Sequence, residues 1–365
     1  MTQPILLLTA DPRASFVEEL GVHYGNGSLF NDRRWAKAGF DIYGDLYDDQ
    51  PYLEFHVSKL IEAAYGIKPR SYVHPRSATL ILRTLSKNAL SVKQNVGIHP
   101  GRKTHLHLPK FVQASKSEEV IAPFFRGLVD IEGSLRLRKQ FRDRHYYPVL
   151  ECEMGDSPFI KTIHTMLSEM GMPVAFRVRE RPREVTRRRK ASFYMSGWNG
   201  INVWLERFGL ANAKHLSKLL MAKKYGFCPP HTSLDERLAM IAGEIDPESF
   251  YDRRLGDVVA IPRYRYAHEV MILRIAYRPQ LLRLLVEKMK VRAKLTKAVL
   301  SKLVTSHELH QRQTSEGEVV EITERGRERL RILYSAWEEL KSKYAVTVPD
   351  NPYYCPAAFH QQSVN

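Results

Sequence analysis

One order of apolar periodicities occurs twice in this chain, and the second occurrence keeps a constant distance from the first. In the first pass Phe16, Leu20 and Tyr24 recur at helical spacing over residues 12–25, and Asn26-Gly27 closes the segment like a helix C-terminus. Loose alternation over 30–46 predicts two short strands. Helical period returns over 51–65, Gly66 breaks it, and a hairpin is expected around 72–73 and 80–82. In the second pass a helix is expected over 118–131, ending at Gly133, with strands over 134–141 and 147–154. A helix over 157–170, stopped by Gly171, and a hairpin over 176–179 and 192–195 complete it. Asn26 and Glu132 are 106 positions apart, and Gly66 and Gly171 are 105 apart. So constant an offset predicts an internal duplication folded about a pseudo-two-fold axis, one chain standing in for a homodimer and acting as a monomer.

Helices over 199–208 and 213–224 follow, and Cys228-Pro229-Pro230 marks an exit from the duplicated part. Beyond a linker at 231–266, helical periods over 268–277, 280–289 and 295–305 precede short strands over 309–313 and 319–322 and a last helix over 324–343. Three helices with a two-stranded wing read as a helix-turn-helix variant. The expected units are therefore a first repeat at 12–115, a second at 116–230, the linker, a winged-helix-like domain at 267–345 and a tail at 346–365. A length of 365 residues suits two or three such units.

The net charge is +16, which favours a polyanionic partner through phosphate contacts and counterion release. From Thr232 onward 21 basic residues face 18 acidic ones, so +13 of the excess lies in the first 231 residues. Cys152, Cys228 and Cys355 are far apart and odd in number, which excludes a disulfide framework and a paired-cysteine metal site and fits a reducing cytosol. The Ile5–Leu8 run is too short for a signal segment, and no apolar stretch reaches membrane-spanning length, so a cytoplasmic protein without a membrane partner is expected. His99, His105 and His107 lack a fourth ligand at zinc spacing.

Two nonapeptides carry the chemistry. Phe125-Arg126-Gly127-Leu128-Val129-Asp130-Ile131-Glu132-Gly133 and Glu19-Leu20-Gly21-Val22-His23-Tyr24-Gly25-Asn26-Gly27, each followed by serine, resemble the paired signatures of the LAGLIDADG homing endonucleases. The resemblance spans roughly residues 14 to 226. It implies an α+β fold with a duplicated LAGLIDADG-type αββαββα core, its two signature helices packed through small residues. Gly21 and Gly25 share one helical face and Gly127 supplies the same smallness in the second helix, where Ile131 is bulkier than the family's usual residue. It further implies metal-dependent hydrolysis of DNA phosphodiesters at a long specific duplex site, with Mg2+ held by an acid at the end of each signature helix. Glu132 fits that catalytic and metal-binding role. Asn26 stands where the family has the other acid; its amide oxygen brings no charge, and Asn before Gly is also a helix terminator. Asp130 is about 200° around the helix from Glu132 and cannot replace the missing acid; it is expected to face solvent or to make a structural hydrogen bond. The family's strand lysine has no clear counterpart, since Asp41, Glu151 and Glu153 occupy the matching strands and Lys139 is the nearest cation. Weakened cleavage, a DNA-binding regulator without catalysis and an RNA-binding intron maturase all stay open.

The binding surface follows from alternation. Arg136 and Arg138 alternate with Leu135 and Leu137, so one face of the strand is cationic and the other packs. Arg177, Arg179, Arg181 and Arg183 repeat the device and lead into Arg187, Arg188, Arg189 and Lys190. Such a ribbon suits double-stranded DNA, although a basic sheet alone does not separate duplex DNA from structured RNA. In the C-terminal part Lys294, Lys297 and Lys302 lie on a helix whose Leu295, Val299 and Leu303 recur for burial, making it the expected reading helix, with Arg312 on the wing.

Overall fold

Helix α1 (Pro12–Asn26) runs without a loop into β1 (Gly27–Asp32), and everything in the first half is built on that junction. The computed structural model describes residues 12–32, 37–74, 77–101, 106–115, 117–179, 189–251, 265–289, 293–344 and 350–353. After β1 come β2 (Lys37–Asp45), a π-helical turn (Tyr52–Val57) continuing into α2 (Ser58–Tyr65), β3 (Arg70–Val73), β4 (Thr79–Leu85) and α3 (Lys87–Asn95). Past the short α4 (Lys110–Ala114) the order returns as α5 (Glu118–Glu132), β5 (Gly133–Arg138), β6 (Tyr147–Gly155), α6 (Pro158–Glu169), β7 (Ala175–Arg179), β8 (Lys190–Ser196) and α7 (Gly197–Arg207). The fold is mixed α+β with antiparallel sheets. One four-stranded sheet has the order β1-β2-β4-β3, and the other has β5-β6-β8-β7. Register matches too, because Ser28 pairs with Asp41 and Ser134 with Glu151. Helices α3 and α4 were not legible in the sequence, being too short, at nine and five residues, to show a period.

Helices α1 and α5 meet backbone to backbone. A Cβ on Gly21 would lie 2.1 Å from the carbonyl oxygen of Phe124 and 2.9 Å from the nitrogen of Leu128. One on Gly127 would lie 2.2 Å from the carbonyl oxygen of Glu18 and 3.1 Å from the nitrogen of Val22. Each residue in the second contact is 106 positions from its counterpart in the first, so the packing is reciprocal. The bulky Ile131 is accommodated because Gly25 faces it, a Cβ there falling 2.4 Å from Ile131 Cγ2. Around this contact Leu20, Val22, Phe124, Leu128 and Val129 are fully buried. A buried ion cluster adds direction. Glu18 accepts from His56 at 2.6 Å and from Arg126 of α5, and although burial pushes its carboxyl up, these partners bring it down to about 2.

The motif residue Glu19 is also buried, 2.7 Å from Lys93 of α3 and 2.6 Å from the Tyr65 hydroxyl. Its counterpart in α5 is Phe125, which packs on Phe208 with ring centroids 5.4 Å apart.

The rest of the chain covers this core. Helix α8 (Ala213–Tyr225) is followed by α9 (Leu234–Ile241), a 3-10 turn (Pro247–Phe250), α10 (Arg265–Ile275), β9 (Gln280–Leu281), α11 (Leu282–Met289), α12 (Ala293–Thr305), β10 (Leu309–Thr314), β11 (Gly317–Ile322) and α13 (Glu324–Lys343). The third sheet has the order β10-β11-β9. The stretch expected as a linker at 231–266 differs from that expectation, because α9 within it is buried. It opens on a capping box of Ser233 and Glu236, and its fully buried Arg237 donates to Ser217 Oγ at 2.8 Å and to the carbonyls of Thr232 and Lys214. Eight residues are too few for periodicity to announce a helix. The C-terminal part is held to the first repeat by specific polar contacts. Tyr47 Oη is 2.8 Å from His268 Nδ1 and the Leu234 N–H donates to Asp48 at 2.6 Å, while within the C-terminal part Thr296 Oγ1 lies 3.3 Å from His268 Nε2 and fixes the ring.

Two outcomes are expected. Gly127→Ala drives a methyl into the Glu18 carbonyl, so it should lower unfolding stability by about 1–3 kcal/mol or more, read from denaturant midpoints, and the double variant with Gly21→Ala should be non-additive. The second concerns His268, whose imidazole burial lowers to about 4 against the opposing pull of Glu269. The unfolded chain, with its histidine near 6.5, therefore binds more protons between about pH 6.5 and 4, and stability present above that window is lost as pH falls through it. Melting curves should show a loss on the order of 3 kcal/mol across the window that is absent in His268→Gln.

Candidate nucleic-acid interface

The α1–α5 contact sets the two signature helices side by side, and with them Asn26 and Glu132, each the last residue of its helix. A Cβ on Gly25 would stand 3.2 Å from the Cβ of Glu132, so the residue before Asn26 abuts the second helix end. Both side chains are half-buried. Asn26 Nδ2 donates to the carbonyl of Tyr43 on β2 at 3.0 Å, which gives the amide a structural task that an aspartate could not perform when ionised. Glu132 lies near Cys152, whose thiol is pushed well above its ordinary range by burial and then by Glu132 and Glu151. A carboxylate at a helix C-terminus opposes the macrodipole, and an amide in its place carries no such cost.

Asp130 does not face solvent. It is fully buried, accepts the backbone N–H groups of Ala211 at 2.8 Å and Asn212 at 3.1 Å, and so fulfils the structural alternative. Burial pushes its carboxyl up to about 7 against those two hydrogen bonds. Asn212 continues the network by donating to Asp49 at 2.8 Å, which joins the two repeats.

For Mg2+ the donors at the helix ends are one carboxylate and one amide oxygen. Among the described residues no group of three or more His, Cys, Asp or Glu is placed to hold a metal ion, and the strand acids Asp41 and Glu151 are engaged by arginines. With one charged oxygen donor in place of two, a hard divalent ion would be held only weakly here.

The open faces of the sheets are better furnished. In the first, Arg83 grips Asp41 at 2.8 and 2.7 Å and lies 5.1 Å from the ring centres of both Phe30 and Tyr72. In the second, the buried Glu151 accepts from Arg136, Arg177 and Ser192 Oγ, with Arg179 at 3.8 Å and Arg138 at 4.0 Å. Glu153 takes Lys190 at 3.1 Å and Arg179 at 3.4 Å. Five cations thus share two carboxylates on one sheet face. Burial pushes the Glu151 carboxyl up, but Ser192, Arg136 and Arg177 more than offset this and hold it below the usual range. Arg138 is lowered by burial and by its crowding against Arg136, Arg177 and Arg179. The Nε atoms of Arg136 and Arg177 are buried and have no hydrogen-bond partner among the described residues. The side chains remain reachable, Arg138 and Arg179 being 44% exposed. This arrangement leaves a positive surplus at the exposed ends of Arg138 and Arg179, suited to phosphate oxygens.

The other sequence candidates are scattered. Lys139 is exposed, its ammonium 5.9 Å from the Tyr251 ring centre. Arg181, Arg183, Arg187 and Arg188 lie outside the described residues, as does the side chain of Lys294. On α12, Lys297 is exposed, but Lys302 is 2.5 Å from Glu269, a carboxylate it shares with Arg329 and Arg265. Sequence reading named Lys190 in the cationic ribbon, and it opposes Arg179 across a ladder; it missed Arg83 and the role of Glu151, although Glu151 and Glu153 sit at alternate positions of β6.

No protein-family model matches the chain, and no curated protein matches it. Solved structures do. I-DmoI in complex with DNA and Mn is 11% identical, with 55% of this chain and 98% of that one covered at a TM-score of 0.38. The LAGLIDADG homing endonuclease I-GzeII in complex with its DNA target is 11% identical, covering 60% of this chain and 93% of that one at 0.37. The homing endonuclease I-WcaI bound to its DNA recognition sequence is 10% identical, covering 53% and 80% at 0.35. Likeness at this level assigns no activity.

Because Asn26 donates to Tyr43, Asn26→Asp should destabilise the protein by about 1–3 kcal/mol at neutral pH, measured by denaturant unfolding. The loss should shrink below the ordinary aspartate range near pH 3.9, where the protonated carboxyl regains a donor.

Proposed function

We propose that this protein binds double-stranded DNA across the open faces of its two four-stranded sheets, with the second sheet as the main phosphate contact. The observation that carries the reading is the cluster of five cations sharing the carboxylates of Glu151 and Glu153. A buried carboxylate holds the arginines in place, which lowers the entropy lost when they meet phosphates, while the surplus charge supplies counterion release. The paired signatures, the repeated αββαββα order and the reciprocal glycine contact support a duplicated core of the LAGLIDADG type with a pseudo-two-fold relation between units 12–115 and 116–230. The three helices and short sheet after residue 265 support a winged-helix-like unit. In this reading the chain acts as a monomer.

A second reading, metal-dependent hydrolysis of a DNA phosphodiester at a long specific site, rests on Glu132 at the end of α5 beside Asn26. Magnesium would supply charge neutralisation at the phosphate, with Glu132 as its charged ligand. With one acid in place of two, this activity would be weak or confined to one strand. On a duplex that the protein binds specifically, cutting in Mg2+ or Mn2+ that disappears in Glu132→Gln supports hydrolysis, whereas intact DNA with wild-type protein supports binding alone.

Binding itself is tested at Arg138 and Arg179, because Arg136 and Arg177 can still satisfy Glu151 when these two are removed. In the double alanine variant the magnitude of the log K against log salt slope should fall by about 0.9 for each phosphate that is no longer neutralised. An unchanged slope with the fold intact would remove this sheet from the interface.

A further inference from the structure

Between the first sheet and the C-terminal part lies a cleft of about 680 Å³, open to solvent, with Gln50, Glu54 and Tyr72 on one wall and Arg274, Arg278 and Lys288 on the other. We propose that this cleft is a second DNA contact, taking the phosphodiester backbone where the duplex leaves the first sheet; the inference rests on the DNA-binding reading above and extends it.

Charge comes first. Three cations face one carboxylate, and Glu54 is itself held by Gln50 Nε2 at 2.9 Å. Arg274 is already engaged, its Nη1 donating to Gln50 at 3.3 Å and its guanidinium lying 5.7 Å from the Tyr353 ring centre and near the buried Asp235 carboxyl, so the uncompensated charge falls to Arg278 and Lys288 at the exposed side of the cleft. Continuity comes second. Tyr72 belongs to both surfaces, its ring lying against Arg83 on the open face of the first sheet while it also lines the cleft. A backbone crossing that sheet therefore meets the cleft at its next step along β3. Size comes third, because the volume far exceeds what one free phosphate fills and suits a run of linked phosphates.

The cleft exists only because the C-terminal part is docked, α10 meeting the first repeat through His268 and Arg274. This gives that part a DNA contact made by α10 and α11 and distinct from the lysines of α12, of which Lys302 is already paired with Glu269.

The test uses Arg278→Ala with Lys288→Ala in the full-length chain, both residues being exposed, and a series of DNA duplexes of increasing length. With wild-type protein the salt slope should steepen twice, first when a duplex covers the sheets and again when it is extended by about one helical turn, 10 base pairs. The double variant should match wild type on the shorter duplexes, and on the longer ones its slope should be shallower by about 0.9 per phosphate left without its cation. Arg138→Ala with Arg179→Ala should reduce the slope at every length. A cleft variant that follows wild type throughout the series overturns the second contact and leaves the sheet reading standing. Wild-type protein that shows no salt-dependent binding at any length overturns both.

Discussion

Two helices touching through their backbones at Gly21 and Gly127 govern the arrangement of the rest. With carbonyl oxygens closer to these glycines than any Cβ would permit, the helices have one separation and one angle available, and the burial of Leu20, Phe124 and Leu128 around them resists any shift. Because α1 and α5 each pass straight into a strand, the contact also fixes where the first strand of each sheet begins and sets Gly25, the residue before Asn26, against the end of the second helix. Gly25 is part of the same arrangement. It leaves room for Ile131 and for the Cβ of Glu132, which an ideal Cβ on Gly25 would approach to 3.2 Å.

Carboxylates organise the polar structure. Glu18 and Glu19, adjacent in the first motif, are both buried and point to different partners, one toward Arg126 and His56, the other toward Lys93. Removing one partner from such a pair would leave a buried charge uncompensated, which is far costlier than never having had the pair. Glu151 plays the opposite part at the surface. It collects more arginines than it can neutralise, so the sheet presents a preformed surplus of positive charge.

The C-terminal part belongs to the same polar scheme and does not hang from a flexible tether. His268 lies between Tyr47 of the first repeat and Thr296 of α12, Arg237 is enclosed by α8 and the turn before α9, and the cleft beneath Arg274 forms only where these surfaces meet.

Much of this was legible along the chain. The duplication, the order of strands and helices in both repeats, the glycines of the helix contact and the alternation of Arg136 and Arg138 are local patterns, governed by periods of 3.6 and 2 and by the absence of a side chain. Asn26 was read as a departure and a helix terminator; its bond to the Tyr43 carbonyl needed the fold, since 17 residues separate them. Helix α9 escaped because two turns carry too little periodicity. The arginines around Glu151 come from two strands, β5 and β7, joined to Glu151 of β6 across 15 and 26 residues, and no pattern along the chain says which cations will share one carboxylate. Local periodicity determined the elements and their duplication, while charge pairing, the docking of the C-terminal part and the cleft between them were decided by tertiary structure, because those interactions depend on separations in space that sequence spacing does not encode.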